Sequence, residues 1–125
     1  MSPLGHQLLL DLAGVARHRL DDLDRLRSVL VEAASSAGAT VVEERFHRFE
    51  PHGVSGVLIL AESHLAIHTW PELGTAAVDV FTCGDATLTS RVADRVEASL
   101  QPEVARRQHF ERGARPPLRL VESAS

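Results

Sequence analysis

The residues best suited to chemistry are concentrated in one stretch, residues 60–85, which reads LAESHLAIHTWPELGTAAVDVFTCGD. It holds a serine, two histidines, a tryptophan and the only cysteine of the chain within an apolar, strand-like context. Buried polar groups cost free energy unless they have partners, so this concentration is unusual for a core segment. The stretch therefore indicates a reactive site and not packing alone.

Ser63 and His68 suggest a nucleophile and its proton-transfer partner, although a hydroxyl satisfied within a turn would also explain Ser63. In one straight strand the two side chains would point to opposite faces. Either the chain turns at residues 62–63, or His68 acts on something other than the Ser63 side chain. Cys83 ends an apolar strand, where a core thiol and a functional thiol are equally plausible. We expect the serine, the histidine and the thiol to lie near one another.

The residues argue against a metal and against pyridoxal phosphate as cofactors. His64 and His68 have the i, i+4 spacing of a helical metal site, but their apolar neighbours favour a strand. There the two residues would lie about 13 Å apart. All 13 basic residues are arginine, so the chain has no lysine to hold pyridoxal phosphate.

Composition limits the functional classes further. The chain has 125 residues, 44% of them hydrophobic, and a formal net charge of -4, which predicts one globular domain without a nucleic-acid or anionic-membrane surface. No apolar run is long enough to span a bilayer, and the N-terminus lacks the basic region of a signal peptide. A single cysteine suits a reducing compartment, so we expect a cytoplasmic protein.

Hydrophobic periodicity predicts six strands, at residues 6–13, 40–49, 54–61, 64–70, 75–83 and 105–111. A helix starts at Asp21 or Asp22 and closes at Gly38, and a second is capped by Asp85 or Thr87. Their apolar faces consist of Leu23, Leu26, Leu30, Ala33 and Ala37, and of Leu88, Val92, Val96 and Leu100. The proline-rich residues 113–125 are expected to form a flexible tail.

This order predicts an α+β fold, a two-layer sandwich in which two helices cover one face of an antiparallel or mixed sheet. The third to fifth strands look apolar on both faces. We therefore expect the uncovered face to meet another protomer, giving a homodimer.

The motifs ESHLAIHTWPE and AAVDVFTCGD, with LGHQLLLDLAG and FHRFEPHG, closely resemble the small prokaryotic S-adenosylmethionine decarboxylase proenzymes. The resemblance spans roughly residues 4–112 and implies one such domain over residues 1–112. It also implies autocatalytic cleavage between Glu62 and Ser63, giving a β chain of residues 1–62 and an α chain of residues 63–125. The new N-terminus would carry a pyruvoyl group derived from Ser63, whose ketone condenses with the amine of the substrate.

The resemblance also implies roles for individual residues. His68 would assist processing by proton transfer and Ser55 by hydrogen bonding, and Cys83 would protonate the substrate α-carbon after loss of CO2. Three further residues, implied to bind S-adenosylmethionine, are Phe49 against adenine, Glu72 on the ribose hydroxyls, and Leu65. In the family both protomers of a dimer build each site.

Two alternatives stay open at this point. Thr75 stands where the family commonly has tyrosine, and FHRFEPHG is unusually charged. Some relatives use pyruvoyl chemistry on ornithine or arginine, so the substrate could differ. An unprocessed regulatory subunit is a third hypothesis, which the joint presence of Ser55, Ser63, His68 and Cys83 disfavours. The sequence does not decide whether processing happens unaided, whether a diamine activates it, or whether dimers associate further.

Overall fold

The structure, a computed structural model, describes residues 3–114 of the 125-residue chain. The strands are β1 (Gly5–Ala13), β2 (Val41–Arg48), β3 (Val54–Leu60), β4 (Ser63–Trp70), β5 (Thr75–Cys83) and β6 (Val104–Arg112). The helices are α1 (Arg17–Leu20), α2 (Leu23–Ser36) and α3 (Ala86–Leu100), and Pro71–Leu73 form a 3₁₀ turn. Apart from Gly113 and Ala114, the expected flexible tail lies outside the described residues.

The six strands form one sheet in the order β2-β3-β4-β5-β1-β6, and every neighbouring pair is antiparallel. The predicted α+β architecture and all six predicted strands are thus confirmed, with small shifts at the strand ends. Helix α1 and the 3₁₀ turn were not predicted. Each is about one turn long, too short to show an apolar period, and neither has a side-chain cap.

The two long helices form the second layer and cover one face of the sheet. Asp22 caps α2 by accepting a hydrogen bond from the Arg25 amide, and Asp85, not Thr87, caps α3 by accepting from the Thr87 amide. From the predicted apolar faces, only Leu23 and Leu88 stay partly exposed. The core between the layers is mostly apolar, with Leu10, Leu26, Leu30, Leu58, Leu65, Ile67, Val78 and Val96 all at 0% exposure. Its buried polar residues include Thr82 and Thr89, whose hydroxyls lie 2.5 Å apart.

The other face of the sheet, called the open face below, is covered by no element within residues 3–114. Alternation along β3, β4 and β5 sends Ser55, His64, His68 and Asp79 to this face, together with apolar residues. The prediction that these strands are apolar on both faces is therefore only half right: one face is apolar and the other is mixed. No helix in the described part of the chain is long and apolar enough to cross a membrane.

Asp21, between α1 and α2, fixes the turn that joins β2 to β3. Its carboxylate accepts hydrogen bonds from the Gly53 amide at 2.9 Å and from Arg48 Nη2 at 3.1 Å, and its carbonyl accepts from Arg48 Nε at 3.2 Å. The Gly53 amide, followed by Arg48, holds the pKa of Asp21 below its usual range. Because the carboxylate is favoured in the folded state, it stabilises the fold only while it is ionised.

Asp21→Asn is expected to lower stability at neutral pH and to lose that effect in acid. The pKa of Asp21 in the folded state is below its unfolded value of roughly 3.9. Its contribution to stability is therefore fully present at pH values above the unfolded pKa and is lost as the pH falls through the folded pKa. Urea unfolding at pH 7 and at about pH 2 should therefore separate wild type from the variant only at pH 7. Glu32→Gln, which removes an exposed carboxylate, is the control, and an equal effect from it would contradict this role.

Candidate active site

The Glu62–Ser63 bond lies at the tight turn between β3 and β4. Leu60 is directly opposite Ser63 in the antiparallel pair, so Ala61 and Glu62 alone make the connection. Glu62 has φ 60°, a left-handed conformation that only one other non-glycine residue among residues 3–114 adopts. Such a conformation costs about 1–3 kcal/mol. The chain thus turns just before Ser63, and the turn is strained. Ser63 and His68 still point to opposite faces of β4, so within one chain the turn does not bring their side chains together.

Ser63 and Cys83 lie at the same end of the sheet. Ser63 is opposite Thr82 on β5, and Cys83 is the next residue along that strand. By alternation Ser63 faces the helices with Leu65, whereas Cys83 is exposed on the open face. The Ser63 hydroxyl and the Cys83 thiol therefore lie at the same end of strands β4 and β5 but on opposite faces of the sheet.

Ser55 and His68 form a second, separate pair on the open face. They are directly opposite on β3 and β4, and Ser55 Oγ lies 2.7 Å from His68 Nδ1. A shallow cavity of about 450 Å³ surrounds them. It is lined by Arg45, Phe46, His47, Ser55, Gly56, Val57, Ala66 and His68.

The two pairs are far apart within one chain. On β5, His68 is opposite Ala77 and Ser63 is opposite Thr82, a separation of five residues along the sheet. At the usual rise per strand residue this is roughly 16 Å. The expectation that serine, histidine and thiol lie together therefore holds for Ser63 and Cys83 but is wrong for His68 within a single chain, because Ser63 and His68 are five residues apart on the same extended strand.

Phe49 and Glu72 lie at the Ser55–His68 end of the sheet. Phe49 directly follows β2, is 46% exposed, and its ring meets His47 edge-on with centroids 4.6 Å apart. Glu72 belongs to the 3₁₀ turn after β4 and is exposed. Leu65 does not join them: its side chain is fully buried on the helix side. A substrate contact from Leu65 could come only from its backbone.

Glu72 is held as a carboxylate by neighbouring donors. Its own backbone amide, and then the His52 side chain, hold its pKa below the usual range. His52 Nε2 lies 2.8 Å from Glu72 Oε2. The sequence reasoning missed His52, because a histidine in a turn carries no sign of a partner twenty residues away.

His64 is engaged in packing. Its ring stacks on Phe81 of β5 with centroids 5.5 Å apart and planes 11° apart. Across residues 3–114, no group of three or more histidine, cysteine or acidic side chains is placed to hold a metal ion.

Comparison with known proteins identifies relatives over most of the chain. A family profile described as S-adenosylmethionine decarboxylase matches residues 6–113. An S-adenosylmethionine decarboxylase proenzyme of Caldanaerobacter subterraneus is 54% identical over 85 residues, which is 68% of each chain. One from Pseudomonas aeruginosa is 55% identical over 82 residues, 66% of this chain and 51% of that relative.

Solved structures agree with these relatives. The adenosylmethionine decarboxylase of Aquifex aeolicus superposes with a TM-score of 0.89 at 39% identity, covering 93% of this chain and 96% of that one. A Trypanosoma brucei AdoMetDC monomer gives a TM-score of 0.62 at 17% identity, over 82% of this chain and 44% of that one. The second likeness concerns the fold alone.

Relieving the Glu62 conformation should stabilise the uncleaved chain. In a Ser63→Ala background, Glu62→Gly is expected to raise the free energy of unfolding by about 1 kcal/mol, because glycine adopts positive φ without a Cβ clash. Urea titration of the two proteins measures the difference. Ala61→Gly changes the neighbouring turn residue, whose φ is not positive, and should give no gain. Equal gains from both substitutions would rule out strain at Glu62.

Proposed function

The chain belongs to the S-adenosylmethionine decarboxylase family, and from this premise we propose that it releases CO2 from S-adenosylmethionine after cutting its own chain. The decarboxylated product is the aminopropyl donor for spermidine synthesis. The observation that carries the proposal is the strained Glu62–Ser63 turn, which lies at the junction where the proenzyme would be cleaved. A regulatory subunit would not need that turn to precede a serine.

Self-processing begins with attack of Ser63 Oγ on the Glu62 carbonyl carbon. The Glu62–Ser63 C–N bond breaks and an ester forms. Loss of the residue 63 α-proton then breaks the ester C–O bond, which leaves Glu62 as a free carboxylate. Water hydrolyses the resulting enamine end and ammonia departs, leaving a ketone. The left-handed Glu62 favours this sequence, because opening the turn relieves its conformational energy.

The residues around Ser63 fit a pyruvoyl group. The chain has no lysine for an alternative carbonyl cofactor, and the turn that must open is exposed at Ala61 and Glu62. When formed, the group supplies a carbonyl that accepts the electrons left by departing CO2. Cys83 is the residue next to the Ser63 partner Thr82, and its thiol would deliver a proton to the substrate α-carbon.

We assign the nucleoside to the opposite end of the sheet. The exposed Phe49 ring offers a stacking surface for adenine. The ionised Glu72 carboxylate would accept hydrogen bonds from the ribose hydroxyls. A free thiol and a biosynthetic reaction both suit a reducing cytoplasm, where we place the enzyme.

A complete site requires two chains. Within one chain the Ser55–His68 pair is roughly 16 Å from Ser63, beyond the reach of a hydrogen bond. We propose a homodimer in which two open faces pack with a two-fold axis running across the strands. This symmetry lays the Ser55–His68 end of one protomer over the Ser63–Cys83 end of its partner.

The function is tested by intact mass and CO2 release. Wild type should give chains of residues 1–62 and 63–125, the second lighter by one ammonia than simple hydrolysis predicts. It should release CO2 from carboxyl-labelled S-adenosylmethionine but not from ornithine or arginine, and Ser63→Ala should stay whole and inactive. An intact, inactive wild type, or activity on ornithine or arginine alone, would refute the assignment.

Mixed dimers test the proposal of shared sites. His68→Ala and Ser63→Ala chains should each remain uncleaved alone, because each lacks one half of the machinery. Coexpressed with different tags, the His68→Ala chain should be cleaved in heterodimers, where the other chain supplies His68. Mass spectrometry of the purified heterodimer measures the cleaved fraction. His18→Ala, an exposed histidine on α1, should cleave alone. An uncleaved heterodimer would place His68 and Ser63 in one chain's site.

A further inference from the structure

Two segments far apart in sequence meet beside the proposed nucleoside site. The turn of residues 49–53 carries Phe49, and the 3₁₀ turn Pro71–Leu73 carries Glu72. His52 joins them through Nε2, which lies 2.8 Å from Glu72 Oε2. The side chains of His52 and Glu72 are 25% and 39% exposed, so the contact lies at the rim of the site.

The backbone of the first segment is held rigidly around His52. The Phe49 amide donates to the Gly53 carbonyl at 2.8 Å, and the Gly53 amide donates to Asp21 at 2.9 Å. Gly53 has φ 104°, and a Cβ there would lie 3.3 Å from the Thr69 carbonyl and 4.0 Å from Pro71 Cδ. This close approach seats the turn directly against the end of β4.

We propose that His52 is a positioning residue that sets the distance and orientation of Glu72 relative to Phe49. The inference rests on the proposed function, in which these two residues hold adenine and ribose. An imidazole on the 49–53 turn fixes one oxygen of a carboxylate that the Glu72 backbone amide also holds, and so links that carboxylate to the turn that carries Phe49. The aromatic ring and the carboxylate thereby become one preorganised clamp.

The hydrogen-bonding capacity of Glu72 leaves room for a diol. A carboxylate has about four lone-pair sites. The backbone amide of Glu72 and the imidazole of His52 use two of them. Two vicinal hydroxyls of a ribose would take the others. Arg17 on α1 adds a favourable charge at longer range.

The clamp is tested by steady-state kinetics on the processed enzyme. His52→Ala should raise KM for S-adenosylmethionine about 5- to 10-fold, the loss of one charge-assisted hydrogen bond, with kcat within about 2-fold of wild type. His52→Gln keeps a side-chain donor and should recover most of the affinity. Glu50→Gln, in the same turn with its side chain 88% exposed, is the control and should leave KM unchanged.

Two further measurements separate this inference from the proposed function. Carboxyl-carbon NMR should show the Glu72 pKa moving upward in His52→Ala, whether or not the protein turns over substrate. Calorimetry with methylthioadenosine, which lacks the amino acid, should show weaker binding to the same variant. If wild type released no CO2 from S-adenosylmethionine, the proposed function would be refuted. The Glu72 pKa and the binding of methylthioadenosine could still be measured and would still test the role of His52.

Several results would overturn the clamp. The first is a Glu72 pKa that does not move in His52→Ala. The second is a pKa that moves in this variant while KM and nucleoside binding stay unchanged. The third is a wild type that does not bind the nucleoside. A fall in kcat or in chain cleavage at constant KM would instead place His52 in the chemistry. Glu50→Gln raising KM as much as His52→Ala would assign the effect to the turn as a whole.

Discussion

The two-residue connection between β3 and β4 constrains the rest of the site. With Leu60 opposite Ser63, the antiparallel register makes Ser55 the partner of His68 and leaves no freedom to slide. The same short connection pushes Glu62 to φ 60°. The short connection thus accounts for both the strained Glu62 conformation and the Ser55–His68 pair. It also places that pair most of a strand length away from the Glu62–Ser63 bond.

The sheet divides stability and chemistry between its two faces. Helices α2 and α3 bury a continuous apolar layer, and at roughly 1.5–3 kcal/mol for each large side chain this layer is the main source of stability. The open face can then carry Ser55, His68 and Asp79, which would be costly in the core. The proposed self-cleavage would benefit from this division, because cutting the exposed β3–β4 turn would leave the core contacts in place.

Charged groups at the far end of the sheet work mainly on the backbone. Asp21 binds the Gly53 amide and Arg48, and so it holds a turn that has little apolar contact of its own. Exposed ion pairs of this kind add little stability individually. Their effect here is geometric: they hold in place the turn that carries Phe49 and His52.

The sequence by itself determined the local elements and the chemical inventory. Apolar periods located six strands and two helices, Asp21 or Asp22 and Asp85 or Thr87 marked the helix starts, and Ser63, His68 and Cys83 indicated a reactive site. These features depend on neighbours a few residues away, so spacing alone reveals them. The family motifs then supplied roles that spacing could not.

Only the tertiary structure decided which of these residues meet. It placed β1 between β5 and β6, buried the Leu65 side chain, paired Ser55 with His68 and joined His52 to Glu72. Each result depends on strand order and register, which arise from contacts between segments distant in the chain. Short helices such as α1 are stabilised in the same way, by packing and not by their own periodicity. The hydrophobic pattern of one segment does not specify which distant segment packs against it.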